Sequence, residues 1–407
     1  MSQDEVLQLI RYAEGLVARS PRAARGHLER LIAQSRSATM PQLDPGALVV
    51  DETLSMIGNA YEYGWQPLDL LHAVRRQSSA AASTWLANAV MVEASRSEAA
   101  ERAPRQWNDQ LAQVRGSVGP ELHRSLLVAR NGDKSEGELL AEWATALSAL
   151  AVMHEMPRLE RLVSPPSTWD DRVVTQSRPT SSPAGNKILA RVRALLAKAE
   201  STTYPAEAEA FTAKAQDLMT RHSIDEALVR AAEGVETQVD TVRILIESPY
   251  AKEKAVLLSV VAGANRTRAV WNDWASLVTL VGESSDLEQV EMLFTSTLVQ
   301  ATRAMTTAGA DSSSNDRSTT FRKAFLTAYA TRIGERLTAA AQGAERSYGE
   351  QLLPVLARQH EAVDRAVSHL FPHVRTGSRR QYFDARGWDA GTNAANEAVL
   401  PAGQVEA

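Results

Sequence analysis

A stretch dense in proline, serine, threonine and glycine, residues 164–186, is the feature that most constrains how this chain of 407 residues can fold. Proline cannot continue a helix or an inner strand, and small polar side chains cannot build a core. We therefore predict that residues 164–186 are a linker between separately folded parts. The length of the chain fits two or three domains, each large enough to bury a core of its own.

The composition excludes several classes of protein. There is no cysteine, which excludes disulfide bridges, thiol catalysis and cysteine-based metal sites. The 44 basic and 49 acidic residues give a net charge of −5, so the chain is not basic overall, although a local basic patch is still possible. The start, MSQDEVLQLI, does not have the pattern of a signal peptide, and no apolar run is long enough for a membrane span. We therefore expect a cytoplasmic protein that does not contact membranes.

The first 163 residues show the periodicity of amphipathic helices. One predicted helix runs from Asp51 and stops at Gly64, and Pro67 fits the first position of the next. Residues 81–101 and 136–162 have the pattern of further helices. Short connections between such helices predict an antiparallel bundle, which we assign to residues 1–163 as the N-terminal domain.

A short helical module is predicted after the linker, over residues 187–232. Asn186 can cap a first helix over residues 187–200, Pro205 can start a second, and Ser223 with Glu226 can cap a third. On this reading Leu195 and Leu218 are core residues on facing helices.

The sequence of this module resembles a known family. The segments NKILARVRALLAKAEST and PAEAEAFTAKAQDLMTRHSID are similar to the domain-of-unknown-function 2786 family over about residues 184–228. The family has no established function, so the resemblance implies a domain and supplies no catalytic residues.

The only convincing strands lie in a predicted C-terminal domain, residues 237–400. Val242, Ile244 and Ile246 alternate with other residues as in a strand, and residues 268–271 and 276–282 flank a plausible hairpin turn. The predicted order is β-α-β-β-α-α, which resembles the companion domain of unknown function 7168 through VGESSDLEQVEMLF and FRKAFLTAYATRIGERL. The predicted fold class is therefore mostly α, with an N-terminal bundle, a short helical module and a small α+β C-terminal domain.

Two stretches concentrate positive charge in this net acidic chain. Residues 172–199 contain six basic residues and no acidic one, and residues 375–388 mix arginines with aromatic residues. Basic residues can contact phosphates, and aromatic rings can stack on the bases of single strands. The candidate nucleic-acid-binding residues are Arg172, Arg178, Lys187, Arg191, Lys198, Arg375, Arg379, Arg380 and Tyr382. The plain alternative is a solvated surface, with the aromatic residues in the core.

Evidence for other chemistry is weaker. Residues 51–76 have the spacing of a helix-turn-helix, but any helical hairpin needs the same small residues. His369 and His373 have the spacing of metal ligands on a helix, but Pro372 lies between them. We expect no catalytic residue, metal or cofactor. The preferred function is nucleic-acid-associated or scaffolding binding. The alternatives are a protein–protein adaptor and an enzyme whose site, with Glu207, His222 and Asp286 as candidates, assembles only in the fold.

Overall fold

A computed structural model describes most of the chain in two compact units, Met1–Arg178 and Pro179–Ala407. The residues that it describes are 2–118, 126–127, 134–169, 183–201, 205–233, 236–310, 318–349, 352–374 and 384–397. The division falls inside the predicted linker. The finer scheme of four segments, 1–163, 164–186, 187–232 and 237–400, stays a prediction.

The first unit is built of helices. They are α1 (Gln3–Arg19), α2 (Pro21–Ser37), α3 (Pro45–Glu62), α4 (Pro67–Gln77), α5 (Ala80–Arg96), α6 (Ala99–Arg102), α7 (Arg105–Ser117) and α8 (Glu136–His154). α4 starts at Pro67, as predicted, but α8 ends at His154 instead of continuing to residue 162. Trp65 and Trp143 are among the largest fully buried side chains, so a few large rings fill a core otherwise made of small aliphatic residues.

The first residues of the predicted linker belong to the packed part of the first unit. The Trp169 side chain is buried, and its ring meets that of Trp107 edge to face at 5.4 Å. Its indole Nε1 donates a hydrogen bond to the carbonyl of Ser164 at 2.9 Å. Residues 170–182, the central part of the predicted linker, lie outside the described residues.

The second unit combines helices with one small sheet, so the predicted fold class is confirmed. Its elements are α9 (Pro183–Ser201), α10 (Pro205–Ala232), β1 (Asp240–Leu245), α11 (Ala251–Ala264), β2 (Arg268–Asn272), β3 (Leu277–Gly282), α12 (Ser284–Ala310), α13 (Thr319–Arg346), α14 (Leu353–Leu370) and α15 (Ala385–Glu397). The order β-α-β-β-α-α is present, and α14 and α15 follow it.

The sheet is antiparallel, in the order β1-β3-β2, and both of its faces are covered. Val278 and Leu280 of β3 join the main core with α11, α12 and α13, whereas Val281 packs against Val363 of α14. This explains why every residue of the central strand is buried. The hairpin between β2 and β3 and the inward face of Val242 and Ile244 were both predicted correctly.

Helices α9 and α10 pack against each other, but two local predictions about their ends were wrong. α9 starts at Pro183, so Asn186 lies inside it and does not cap it. α10 continues unbroken through Ser223, because a Ser-x-x-Glu pattern is also compatible with the middle of a helix. α12 starts at Ser284, and the buried hydroxyl of Ser285 has no hydrogen-bond partner among the described residues.

The linker prediction can be tested by limited proteolysis of the full chain. Trypsin should cut first after Arg172, because proteases cleave preferentially at exposed segments between folded parts and the other arginine of the linker, Arg178, precedes a proline and is not a trypsin site. Both fragments should then unfold cooperatively when they are separated. First cleavage elsewhere, or fragments without a cooperative transition, would contradict a division of the chain at this point.

The packing of α9 predicts different effects for two neighbouring leucines. Leu196 is 6% exposed, whereas Leu195, predicted to be a core residue, is only partly buried. Leu196→Ala should therefore lower the free energy of unfolding by about 2–5 kcal/mol, as truncation of a buried leucine does. Leu195→Ala is the matched control and should lower it by about half as much or less. Equal losses in urea unfolding would show that the buried face of α9 is assigned wrongly.

Candidate functional site

The candidate surface that the structure describes best is a stripe of basic side chains on α9. Lys187, Arg191 and Lys198, which we call the basic stripe, are all exposed. At about 100° per residue they lie within about 40° of one another around the helix. The predicted stripe therefore exists as an exposed surface.

The buried face of the same helix shows where the stripe points. Val192 and Leu196 are buried in the main core of the second unit, together with Ala215 and Met219 of α10. The centre of the stripe lies about 140° around the helix from this buried pair. Ile188 and Leu195 lie between the stripe and this pair around the helix and pack against the same core, so the stripe borders the packed face, as the sequence predicted, with its side chains exposed to solvent.

Two of the three charges of the stripe, those of Lys187 and Arg191, are not neutralised by the described structure. No acidic residue occurs between residues 187 and 198. No ion pair joins Lys187 or Arg191 to a described carboxylate. The surface can therefore attract a polyanion.

The other predicted nucleic-acid contacts lie outside the described residues. This holds for Arg172, Arg178, Arg375, Arg379, Arg380 and Tyr382. The stretch 375–388 is described from residue 384 onward, where Arg386 is exposed and Trp388 is partly buried on α15.

Helices α3 and α4 form the helical hairpin that had the spacing of a helix-turn-helix. Gly64 turns the chain with φ of +88°, and a Cβ there would lie 2.4 Å from the carbonyl oxygen of Leu159. At the start of α4, Gln66, Pro67 and Asp69 are buried. A recognition helix reads bases with this end, so the hairpin is part of the bundle core and does not expose a reading helix.

The enzyme candidates do not form one site. Asp286 is fully buried, whereas His222 is 12% exposed and has its Nε2 3.5 Å from Oε1 of Glu226. No hydrogen bond or ion pair joins His222 to Asp286 among the described residues. The Glu207 side chain lies outside the described part of the chain.

Asp286 instead forms the centre of a buried polar cluster. Its Oδ1 accepts hydrogen bonds from Ser223 Oγ at 2.6 Å and from Arg266 Nη2 at 2.7 Å. Its Oδ2 accepts one from Gln359 Nε2 at 2.8 Å, and Arg266 Nη2 also donates to Ser223 Oγ at 2.6 Å. With its oxygens occupied in this way, the carboxylate is suited to holding elements together and poorly suited to proton transfer.

A second buried carboxyl group lies three residues before Asp286. Glu283 is 3% exposed and forms an ion pair with Arg230 of α10. Burial raises the pKa of Glu283 to about 7, and the attraction of Arg230 only partly offsets it. Glu283, Arg230 and Gln359 line a cavity of about 330 Å³ beside α14.

The sequence did not predict the roles of Arg266, Gln359, Glu283 and Arg230. These residues come from separate elements, and each looks like a surface residue in its own segment. The only local signal is the acidic start of α12, where Glu283 and Asp286 lie close together in the sequence.

The described part of the chain contains no group of three or more His, Asp or Glu residues arranged to hold a metal ion. It also contains no helix with the length and apolar character that crossing a bilayer requires.

Comparison with known families finds a family match for one segment of the second unit. Residues 187–226 match the family described as "Protein of unknown function (DUF2786)".

The segment 187–226 is a DUF2786 domain.

The DUF2786 domain comprises most of α9 and α10 up to Glu226, and it includes the whole basic stripe and Ser223. The predicted companion domain over 237–400 receives no support from this comparison. Neither the curated proteins nor the solved structures gave a match to the chain.

The raised pKa of Glu283 predicts a pH-dependent stability. Between about pH 4.5 and 7 the folded protein holds a proton that the unfolded chain has released. The free energy of unfolding should therefore fall by about 3 kcal/mol as pH rises through this range, and fall no further above it. Glu283→Gln carries no titrating group and should lose this part of the pH dependence.

Urea unfolding of the wild type and of Glu283→Gln from pH 4.5 to 8 measures the difference. Glu335→Gln is the matched control, because the Glu335 side chain is 58% exposed and its removal should leave the pH dependence unchanged. A constant difference between wild type and Glu283→Gln across the range would contradict the assignment.

Proposed function

We propose that the protein is a nucleic-acid-associated binding protein and that the basic stripe of its DUF2786 domain contacts a phosphate backbone. The observation that carries the proposal is the position of Lys187, Arg191 and Lys198 on the solvent side of α9, with no acidic residue among them. A phosphate backbone is the common cellular partner that presents closely and regularly spaced negative charges.

The dimensions of the stripe suit such a partner. Lys187 and Lys198 are eleven residues apart, which corresponds to about 16 Å along a helix. A row of this length can follow several phosphates of one strand. Contacts of this kind position a protein on nucleic acid but do not read its sequence, so we expect binding with little sequence preference.

The residues that lie outside the described structure extend this proposal. Arg172 and Arg178 precede α9 and would add phosphate contacts next to the stripe. Arg379 and Arg380 with Tyr382 would favour single strands, because bases stack on aromatic rings. We also keep as proposals the likeness of residues 237–400 to the companion family and a cytoplasmic location.

The experiment is a salt titration of binding to single- and double-stranded DNA and RNA. Each phosphate contact should contribute about −0.7 to −0.9 to the slope of log affinity against log salt. The triple variant Lys187→Glu, Arg191→Glu and Lys198→Glu should bind all sequences more weakly and show a flatter slope. Its folding should change little, because single exposed charges contribute little to stability.

A charge-matched control separates the stripe from net charge. Arg303→Glu, Lys323→Glu and Arg346→Glu change the net charge equally at exposed positions on α12 and α13. This control should keep the wild-type slope. If the wild type does not bind at low salt, or if both triple variants bind equally, the nucleic-acid proposal fails. A scaffolding or adaptor role would then be the better explanation.

A further inference from the structure

A cavity in the second unit lies apart from the basic stripe and has no part in the proposed nucleic-acid contact. It has a volume of about 330 Å³ and opens between the end of α10, the segment before β1, and α14. Pockets that hold small molecules begin at about this size. The cavity can therefore enclose a molecule the size of a small metabolite.

The ionisable side chains that line the cavity are balanced in charge. Arg230 and Glu283 form an ion pair with each other in its wall, and two further arginines and two further glutamates line it: Arg358, Arg365, Glu236 and Glu361. A ligand with charge of only one sign would pair with one set of side chains. It would also remove water from the other set and leave those charges unpaired, which is unfavourable. A ligand that carries both charges can pair with both sets.

Two of the arginines are available to a ligand. Arg358 and Arg365 are exposed, and they are seven residues apart, so they lie on the same face of α14. Each donates from Nε to a backbone carbonyl one turn earlier, and neither has a carboxylate partner among the described residues. Their remaining N–H groups are suited to binding a carboxylate.

The cavity wall also contains an unsatisfied hydrogen-bond acceptor. Gln359 is 2% exposed, and its Nε2 donates to Oδ2 of Asp286. Because a carboxylate accepts hydrogen bonds, this contact fixes which end of the amide is nitrogen. The other end, Oε1, has no hydrogen-bond partner among the described residues. Gln359 is one of the residues that line the cavity, so a polar group without a partner lies in its wall.

From the charge balance, the two available guanidinium groups and the unpaired amide oxygen, we infer that this cavity binds a small zwitterion of the amino-acid type. Its carboxylate meets Arg358 and Arg365, and its ammonium group meets the carboxylates and the Gln359 side of the wall.

Thermal unfolding of the full chain with each of the twenty standard amino acids at millimolar concentration tests the inference. A ligand of the folded state raises the melting temperature, so at least one amino acid should do so. Calorimetry then compares that amino acid with its 2-oxo acid, which lacks the ammonium group, and its decarboxylated amine. L-glutamate with 2-oxoglutarate and L-arginine with agmatine are the pairs to include in every case. Each analogue, which carries charge of only one sign, should bind at least about tenfold more weakly.

The site is checked with variants that should fold normally because the altered residues are exposed. Arg358→Gln with Arg365→Gln should weaken binding about 10- to 100-fold, as loss of charge-assisted hydrogen bonds does. Arg303→Gln with Arg346→Gln makes the same change outside the cavity and should bind as the wild type does. The inference is overturned if no amino acid raises the melting temperature, if an analogue binds equally well, or if the Arg358 and Arg365 variant retains full affinity. These measurements contain no nucleic acid, so their outcome is independent of the function proposed above.

Discussion

The buried ion pair between Arg266 and Asp286 is the contact on which the arrangement of the second unit depends. Two charges that leave water lose several kcal/mol of hydration each, and their attraction offsets this only when their hydrogen-bonding groups are also satisfied. Ser223 and Gln359 meet that condition by donating to Asp286 from two other helices. Arg266 reaches the carboxylate from a backbone position with φ of +56°, in the turn between α11 and β2. Removing any one member would leave a buried polar group unpaired, so the four residues act as a unit.

This cluster connects the DUF2786 domain with the rest of its unit. Ser223 lies in the matched segment, whereas Asp286 begins α12 and Gln359 lies on α14. The start of α12 is thereby held inside the structure, which also buries Glu283 and places it against Arg230. The cavity forms beside these residues because α14 is drawn towards α12 at Gln359. The position of the cavity and the raised pKa of Glu283 therefore share one cause, the burial of polar groups where the three helices meet.

Regular local patterns in the sequence predicted the fold correctly, and contacts between distant residues were not predictable. The alternation of Val242, Ile244 and Ile246 requires only neighbouring residues, and the structure buries that face as expected. The face of α9 was less certain, because Leu195 and Leu196 are equally apolar and only the helices that pack against α9 decide which is buried. The hydrogen bonds of the cluster around Asp286 join residues 20 to 73 positions apart, each polar and each unremarkable in its own segment. No periodicity marks such residues, so the sequence could identify Asp286 as a candidate but not its partners.

Contacts between distant residues also determine which positive charges of this protein are neutralised and which can attract a partner. Arg266 is a basic residue whose charge is neutralised within the fold by Asp286, and Arg230 is neutralised by Glu283 when that carboxyl group is ionised. These arginines count as basic residues in the composition, but when their charge is neutralised they attract anionic partners only weakly. Lys187 and Arg191 have no such partner among the described residues, and they point away from the core. A chain with a net charge of −5 can therefore still present a positive surface, because many of its other arginines are paired internally or with neighbouring carboxylates. The attraction of a polyanion depends on these unneutralised charges, and α9 places them on the side of the DUF2786 domain that faces solvent.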